Sequence, residues 1–197
     1  LVLVALGYVF REPLRDAWFA LLTQQMFVTA DNDNFDPGPV LGSHFPGLQA
    51  TYQARPVTLI NEFSGSRGTL FIAGRSFARS PYCISQMLQL QQYKAQFDAA
   101  GIGMVAISYD APAEQQAFID KYDITIPVLS DVNALSFKTL VILDASYAPG
   151  DAEYGVAHPG MMIVDTQGRV VGKLFLESYS ARVDALATLA FANQVLD

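Results

Sequence analysis

A single cysteine stands among 197 residues. Cys83 ends the stretch Arg75-Ser76-Phe77-Ala78-Arg79-Ser80-Pro81-Tyr82-Cys83, and the residue types before it suit a reactive thiol. Ser80 can cap a helix, and Pro81 fits the first helical position, where a missing N–H costs nothing. Cys83 then falls in the first turn, where unpaired amides and the positive end of the helix dipole favour a thiolate. Arg75 and Arg79 stand a few residues upstream as sources of positive charge. Such a thiol is expected to ionise more readily than a free one. With no second cysteine, it cannot cycle between dithiol and disulfide inside the chain. An oxidised sulfur would have to be restored by a thiol from outside. The competing reading is that Cys83 is a small buried apolar residue facing Met87, because free cysteines are among the most buried side chains. Tyr82 beside it either lines the site or shields it.

A strand and a helix must position that cysteine. Thr69–Gly74 reads as a buried strand, with Leu70, Phe71 and Ile72 in succession and Gly74 as its stop. The helix from Pro81 carries Met87, Leu90 and Phe97 on one apolar face. Ile102–Tyr109 is an unbroken apolar run ending at Asp110, as a strand covered on both faces would read. Ala113–Tyr122 has helical spacing, Ile126–Leu129 is a short extended piece, and Asn133–Leu140 suits a helical turn. Val141–Leu143 then leads into a loop over Asp144–Ala157. Gly160–Asp165 and Arg169–Leu176 are strands joined through Thr166-Gln167-Gly168. Ser180–Val195 closes the chain as a helix carrying Val183, Leu186, Leu189 and Ala190. Leu48–Tyr52 and Val57–Ile60, upstream, are short extended pieces punctuated by Pro46 and Pro56. Strands alternating with helices imply a parallel portion of sheet, the hairpin adds an antiparallel one, and helices cover both faces.

Residues 1–30 read as an apolar to amphipathic N-terminal segment, 31–42 as a linker and 43–197 as the folded domain. Leu1–Phe10 is apolar but too short to span a bilayer. It is either the tail of a longer signal or membrane anchor, or the start of an amphipathic helix through Trp18, Leu22 and Met26. The first alternative gives membrane association and an extracytoplasmic domain; the second leaves a cytoplasmic protein open. Trp18–Val28 keeps helical spacing. Asp31–Pro39, acidic and rich in proline, reads as a solvated hinge; it lacks the glycine and terminal glutamate of a calcium loop. The chain is 51% hydrophobic and 16% charged, ample for a packed core. A net charge of −7 without basic clusters argues against nucleic acid. His44 and His158 have no cysteine or histidine nearby to share a metal, so neither metal nor cofactor is expected.

This order, with a cysteine at the first strand-to-helix join and a proline before the hairpin, resembles the thioredoxin fold. More narrowly, the chain is similar to the redoxin group of the alkyl hydroperoxide reductase/thiol-specific antioxidant (peroxiredoxin-like) superfamily. The carrying stretches are Arg75-Ser76 through Ser80-Pro81-Tyr82-Cys83, Gly101–Asp110, Tyr154–Gly160 and Asp165–Val171. The resemblance implies an α/β, thioredoxin-like three-layer fold with a mixed central sheet. Many relatives carry Cys-Pro-Tyr-Cys where this chain has Ser80-Pro81-Tyr82-Cys83, so thioredoxin-type dithiol reduction is not expected. Peroxiredoxins carry a proline, three residues, Thr or Ser, two residues, then the peroxidatic cysteine. Ser80 and Cys83 match the last two elements, and Ser76 stands where the proline would be.

The resemblance therefore implies a one-cysteine peroxidase in which Cys83 attacks a small peroxide, Ser80 orients it and an external thiol reduces the sulfenic acid. Tyr82, Arg79, Arg75, His158 and Pro159 would surround the substrate, the two arginines supplying charge from the near side. Peroxiredoxins place an arginine just before the late strand, where this chain has Pro159. That residue instead matches the cis-proline of thioredoxins. A cis His158–Pro159 bond, cheap only for proline, would bring it against Cys83, and a trans bond would sink this site assignment whatever the fold. His158 at the same edge is either a proton-transfer group or a hydrogen-bonded loop residue. The resemblance equally admits a redox-inactive module that holds a partner segment near Ser80, Tyr82 and His158–Pro159, or an adaptor forming mixed disulfides.

Overall fold

The computed structural model describes residues 11–196. The chain begins with α1 (Arg11–Leu22) and β1 (Phe27–Val28), then the hairpin β2 (Ala50–Tyr52) and β3 (Arg55–Val57). After a 3-10 turn at Ile60–Phe63 come β4 (Gly68–Ala73), α2 (Pro81–Ala99), β5 (Ile102–Ser108) and α3 (Pro112–Tyr122). The remainder is β6 (Val128–Ser130), α4 (Leu135–Thr139), β7 (Gly160–Asp165), β8 (Val170–Phe175), β9 (Arg182–Val183) and α5 (Ala185–Val195).

Seven strands form one mixed sheet in the order β3-β2-β6-β5-β4-β7-β8. β4 lies parallel to β5 and antiparallel to β7, and every one of its residues is buried. Alternate side chains feed two cores. Leu70 and Ile72 join Phe77, Cys83, Met87, Leu90 and Phe97 on one side, while Phe71 and Ala73 join Ile107, Phe137 and Phe175 on the other. The three-layer fold, the two central strands and the apolar face of α2 stand as the sequence predicts.

Three stretches differ. The helical spacing of Trp18–Val28 breaks at Leu22: the Thr23 hydroxyl turns back to the Phe19 carbonyl at 2.8 Å. Phe27 and Val28 then pair in parallel with Arg182 and Val183. That pairing also delays the last helix, which starts at Ala185 rather than Ser180. Its cap is Asp184, whose Oδ1 accepts from the Ala187 amide at 2.9 Å, while Ser180 Oγ lies 3.1 Å from Ser178 Oγ. The acidic stretch taken as a hinge is docked instead. Asp31 and Asp33 accept from the Phe175 and Glu177 amides, each at 2.8 Å, and Asp36 pairs with Lys173 at 2.6 Å. Free donors at the end of an edge strand are what carboxylates of this spacing find. Among the described residues no helix is long and apolar enough to cross a membrane. Leu1–Phe10, which carries the signal or anchor expectation, lies outside the described residues.

The start of α5 is open to a direct test. Asp184→Ala is expected to cost about 0.5–2 kcal/mol in denaturant unfolding, whereas Ser180→Ala should stay within roughly 0.5 kcal/mol. Equal costs would show that Asp184 is not the working cap.

Candidate active site

The site begins where β4 ends. Gly74 follows the strand, and a Cβ there would lie 2.5 Å from Phe77 Cζ, so the chain turns against that ring only with glycine. The turn Arg75–Arg79 is then fixed by Asp110, which follows β5 and is almost fully buried. Its carboxylate accepts from the Ser76 hydroxyl at 2.6 Å, the Phe77 amide at 2.7 Å and the Ser108 hydroxyl at 2.8 Å. Arg79 covers it from the solvent side at 3.7 Å. Ser80 leaves the turn and caps α2, its hydroxyl oxygen accepting from the Cys83 amide at 3.4 Å.

Cys83 has no exposed surface. Its sulfur accepts from the Arg75 amide at 3.3 Å and from Arg182 Nη2 at 3.4 Å. Burial pushes the thiol up. The Arg182 charge, the Ser80 hydroxyl and the Ser76 backbone oppose it and prevail, so the thiol ionises below the ordinary cysteine value. Arg182 is itself 2% exposed. Its Nε donates to Gln86 Oε1 at 3.0 Å, and its Nη1 to the Tyr179 and Ala181 carbonyls at 2.8 and 2.6 Å. None of those acceptors carries charge. The sulfur is the one ionisable group among the hydrogen-bond partners of a buried guanidinium.

The sequence-predicted residues divide into those the fold brings to the sulfur and those it does not. Ser80 is at the sulfur's own helix turn. Tyr82 stands at the rim, its ring edge-on to Tyr179 with centroids 5.9 Å apart. Arg75 faces Cys83 with its amide only; its guanidinium is turned to Asp144 and the Tyr147 hydroxyl, both at 2.9 Å. Arg79 is exposed and donates to the Tyr109 hydroxyl at 2.7 Å. The expected near-side charge therefore comes from neither arginine. His158 is half-buried against Phe35, with ring centroids at 4.9 Å. Burial holds it below the ordinary histidine value, with Asp144 pulling up and Arg75 down.

The cis-proline expectation fails, since the described residues contain no cis peptide bond. The reason is local. Leu143 bridges Ala157, the His158 amide donates to the Ile142 carbonyl at 2.7 Å, and Gly160 already pairs with Ala73. The segment is thus extended on both sides of Pro159, as a residue before proline prefers, and a trans bond continues it. By register Pro159 still stands at the Gly74 end of the sheet, the end that carries Cys83.

Arg182 and Gln86 are the residues that sequence reasoning missed. Arg182 lies inside the stretch read as a helix, yet it is the one basic residue between Ala181 and Ala192, just ahead of a strong cap at Asp184. Gln86 sits three residues after Cys83, on the buried side of α2. Among the described residues no group of three or more His, Cys, Asp or Glu is placed to hold a metal.

The model of the AhpC/TSA family matches residues 41–173. The chain belongs to this family. The match includes Ser80 and Cys83 and ends before Arg182. A peroxiredoxin-like bcp protein of Haemophilus influenzae is 26% identical over 91 residues, a match covering 46% of this chain and 57% of that one. This chain thus spans little more than half the length of that relative. Among solved structures, peroxidoxin BcpB from Mycobacterium tuberculosis superposes with a TM-score of 0.63 at 16% identity, over 79% of this chain and 95% of that one. Reduced Prx3 from Vibrio vulnificus gives 0.67 at 19% identity, over 78% and 98%. At these identities the likeness is one of fold.

Two substitutions test the geometry. Arg182→Met leaves burial unopposed by its largest counterweight, so the pH midpoint of Cys83 alkylation should rise by about 1–3 units. An unmoved midpoint would mean that the acidity is set elsewhere. Ser80→Cys places a second thiol at the cap facing the first helical turn, and the pair should close to a disulfide under mild oxidant. A variant that stays reduced would show that the Cys83 sulfur is not presented toward position 80.

Proposed function

We propose that the chain reduces small peroxides through Cys83 alone and is restored by a thiol from another molecule. The observation that carries this reading is the buried Arg182 guanidinium, which has the Cys83 sulfur as its one ionisable partner. A charge buried without a counter-charge costs several kcal/mol, and ionising Cys83 supplies that counter-charge.

The chemistry balances as follows. Cys83 loses its proton, and the thiolate sulfur attacks the terminal oxygen of the peroxide. An S–O bond forms as the O–O bond breaks, the sulfur being oxidised and the peroxide reduced by two electrons. The leaving oxygen takes the proton and departs as water or an alcohol, and Cys83 is left as a sulfenic acid. One external thiol displaces water to form a mixed disulfide, and a second releases Cys83 and leaves as the external disulfide. Arg182, the Arg75 amide and the Ser80 hydroxyl already surround the sulfur, and they stabilise negative charge as it passes to the departing oxygen. Arg79, His158 and Pro159 are given no step in this scheme.

A second reading has its own support. Cys83 has no exposed surface, which suits a redox-inactive module whose cleft near Tyr82 and His158–Pro159 holds a partner segment. Hydrogen peroxide separates the two, and the Vibrio vulnificus neighbour has been solved in complex with it. Treated with one equivalent, the reduced protein should gain a single oxygen atom by intact mass, lose it on adding a thiol, and gain none as Cys83→Ala. An unchanged mass together with slow alkylation of the native protein at every pH would favour the binding module.

A further inference from the structure

Gln86 is difficult to explain by stability. It is 1% exposed, in the helix turn after Cys83, and its Oε1 accepts from Arg182 Nε at 3.0 Å. Its Nε2 has no hydrogen-bond partner among the described residues. A buried donor left unmade costs about 1–3 kcal/mol. Glutamate has nearly the same shape, would present no orphan donor, and would pair with the guanidinium as an ion. Methionine would fill the space with no polar atom at all. The amide cannot be turned to relieve the fault, because Nε2 would then meet a second donor at Arg182 Nε. A residue that breaks a packing rule inside a site points to function.

We propose that Gln86 is a positioning residue whose neutral oxygen holds the Arg182 guanidinium in place without consuming its charge, leaving that charge to the Cys83 sulfur. The groups facing the sulfur come from three elements. β9 supplies Arg182, the turn after β4 supplies the Arg75 amide, and the cap of α2 supplies the Ser80 hydroxyl. Arg182 alone among them directs a charge at the sulfur, because the Arg75 guanidinium is committed to Asp144. A carboxylate at position 86 would be the nearer anion and, being much less basic than a thiolate, would be ionised first and displace the thiolate as the ion partner. Gln86 touches neither substrate nor sulfur and acts through Arg182.

This inference rests on the peroxidase reading for its purpose but not for its test. The pH dependence of Cys83 alkylation is measured without peroxide on the reduced protein. Glu at position 86 (Gln86→Glu) is expected to raise the alkylation midpoint by about 1–3 units, with the alkaline plateau preserved or slightly higher, since a more basic thiolate is intrinsically the better nucleophile. Gln86→Met, which removes the acceptor without adding charge and so loosens the Arg182 guanidinium, should also raise the midpoint, but by less than Gln86→Glu. A Gln86→Glu midpoint equal to the wild type overturns the proposal. So does a Gln86→Met midpoint equal to the wild type, because the amide oxygen would then not be what holds Arg182 against the sulfur. Should Gln86→Glu fail to fold, the methionine variant still decides on this second criterion. If the midpoints behave as expected yet hydrogen peroxide adds no oxygen to Cys83, the peroxidase reading fails and the electrostatic role of Gln86 stands.

Discussion

The carboxylate of Asp110 governs the geometry of everything around the sulfur. An ion so deeply buried is tolerated only when its lone pairs are taken up, and hydrogen bonds to a charged group are worth about 1.5–3 kcal/mol each. Asp110 meets that demand with the Ser76 and Ser108 hydroxyls and the Phe77 amide. The arrangement extends outward: Gln115 donates to the Ser108 hydroxyl and to the Leu129 carbonyl, and Ser130 donates to the Asp110 carbonyl. Four elements are thereby tied at one end of the sheet. The turn they enclose has little freedom left, and from it come the Arg75 amide and the Ser80 cap that meet Cys83. The acid that builds the site lies just past the end of the neighbouring strand, away from the chemistry.

Against this fixed turn, the thiol is set by two opposed forces. Burial favours the neutral thiol, and the Arg182 charge favours the thiolate. Arg182 arrives from the far end of the chain, and its placement depends on the opposite end. The Arg182 amide donates to the Met26 carbonyl at 2.8 Å, and the Asp184 amide to the Val28 carbonyl at 2.9 Å. The segment that precedes the seven-stranded sheet therefore holds the residue that charges the site. The acidic strap that follows it, bound to Phe175, Glu177 and Lys173, completes the same support.

What could be read from the sequence follows from where local patterns decide the structure. β4, β5 and the β7–β8 hairpin are apolar runs between turn residues, and no other element type buries such runs at that length. Ser80-Pro81 marks the helix start because capping is a local interaction, and it placed Cys83 in the first turn. Arg182 was missed for the opposite reason. Val183, Leu186, Leu189 and Ala190 also satisfy helical spacing, and only pairing with β1, more than 150 positions away in sequence, pulls Arg182 and Val183 out of the helix. The docking of Asp31, Asp33 and Asp36 is likewise invisible locally, since an acidic, proline-bearing stretch reads the same whether or not amides wait opposite it. The state of the His158–Pro159 bond depends on the bridge between Leu143 and Ala157, which the loop between them conceals.

The serine at position 80 serves both the helix and the thiol. In a dithiol site this position holds the attacking sulfur, and replacing it removes the disulfide. A hydroxyl, however, is among the best helix caps, and its oxygen takes the Cys83 amide at 3.4 Å. The same hydroxyl lowers the pKa of the remaining thiol, which a sulfur at that position, a weak donor and a weak acceptor, would do poorly. Arg75 divides its functions in a similar way. Its amide serves the sulfur whatever its side chain does, which frees the guanidinium to pair with Asp144 and to lie over the Tyr147 and Tyr179 rings at 5.4 and 5.7 Å. The rim is thus held by a charge that does not compete with Arg182 for the thiolate. Each contact at the sulfur comes from a backbone group, a hydroxyl or one guanidinium.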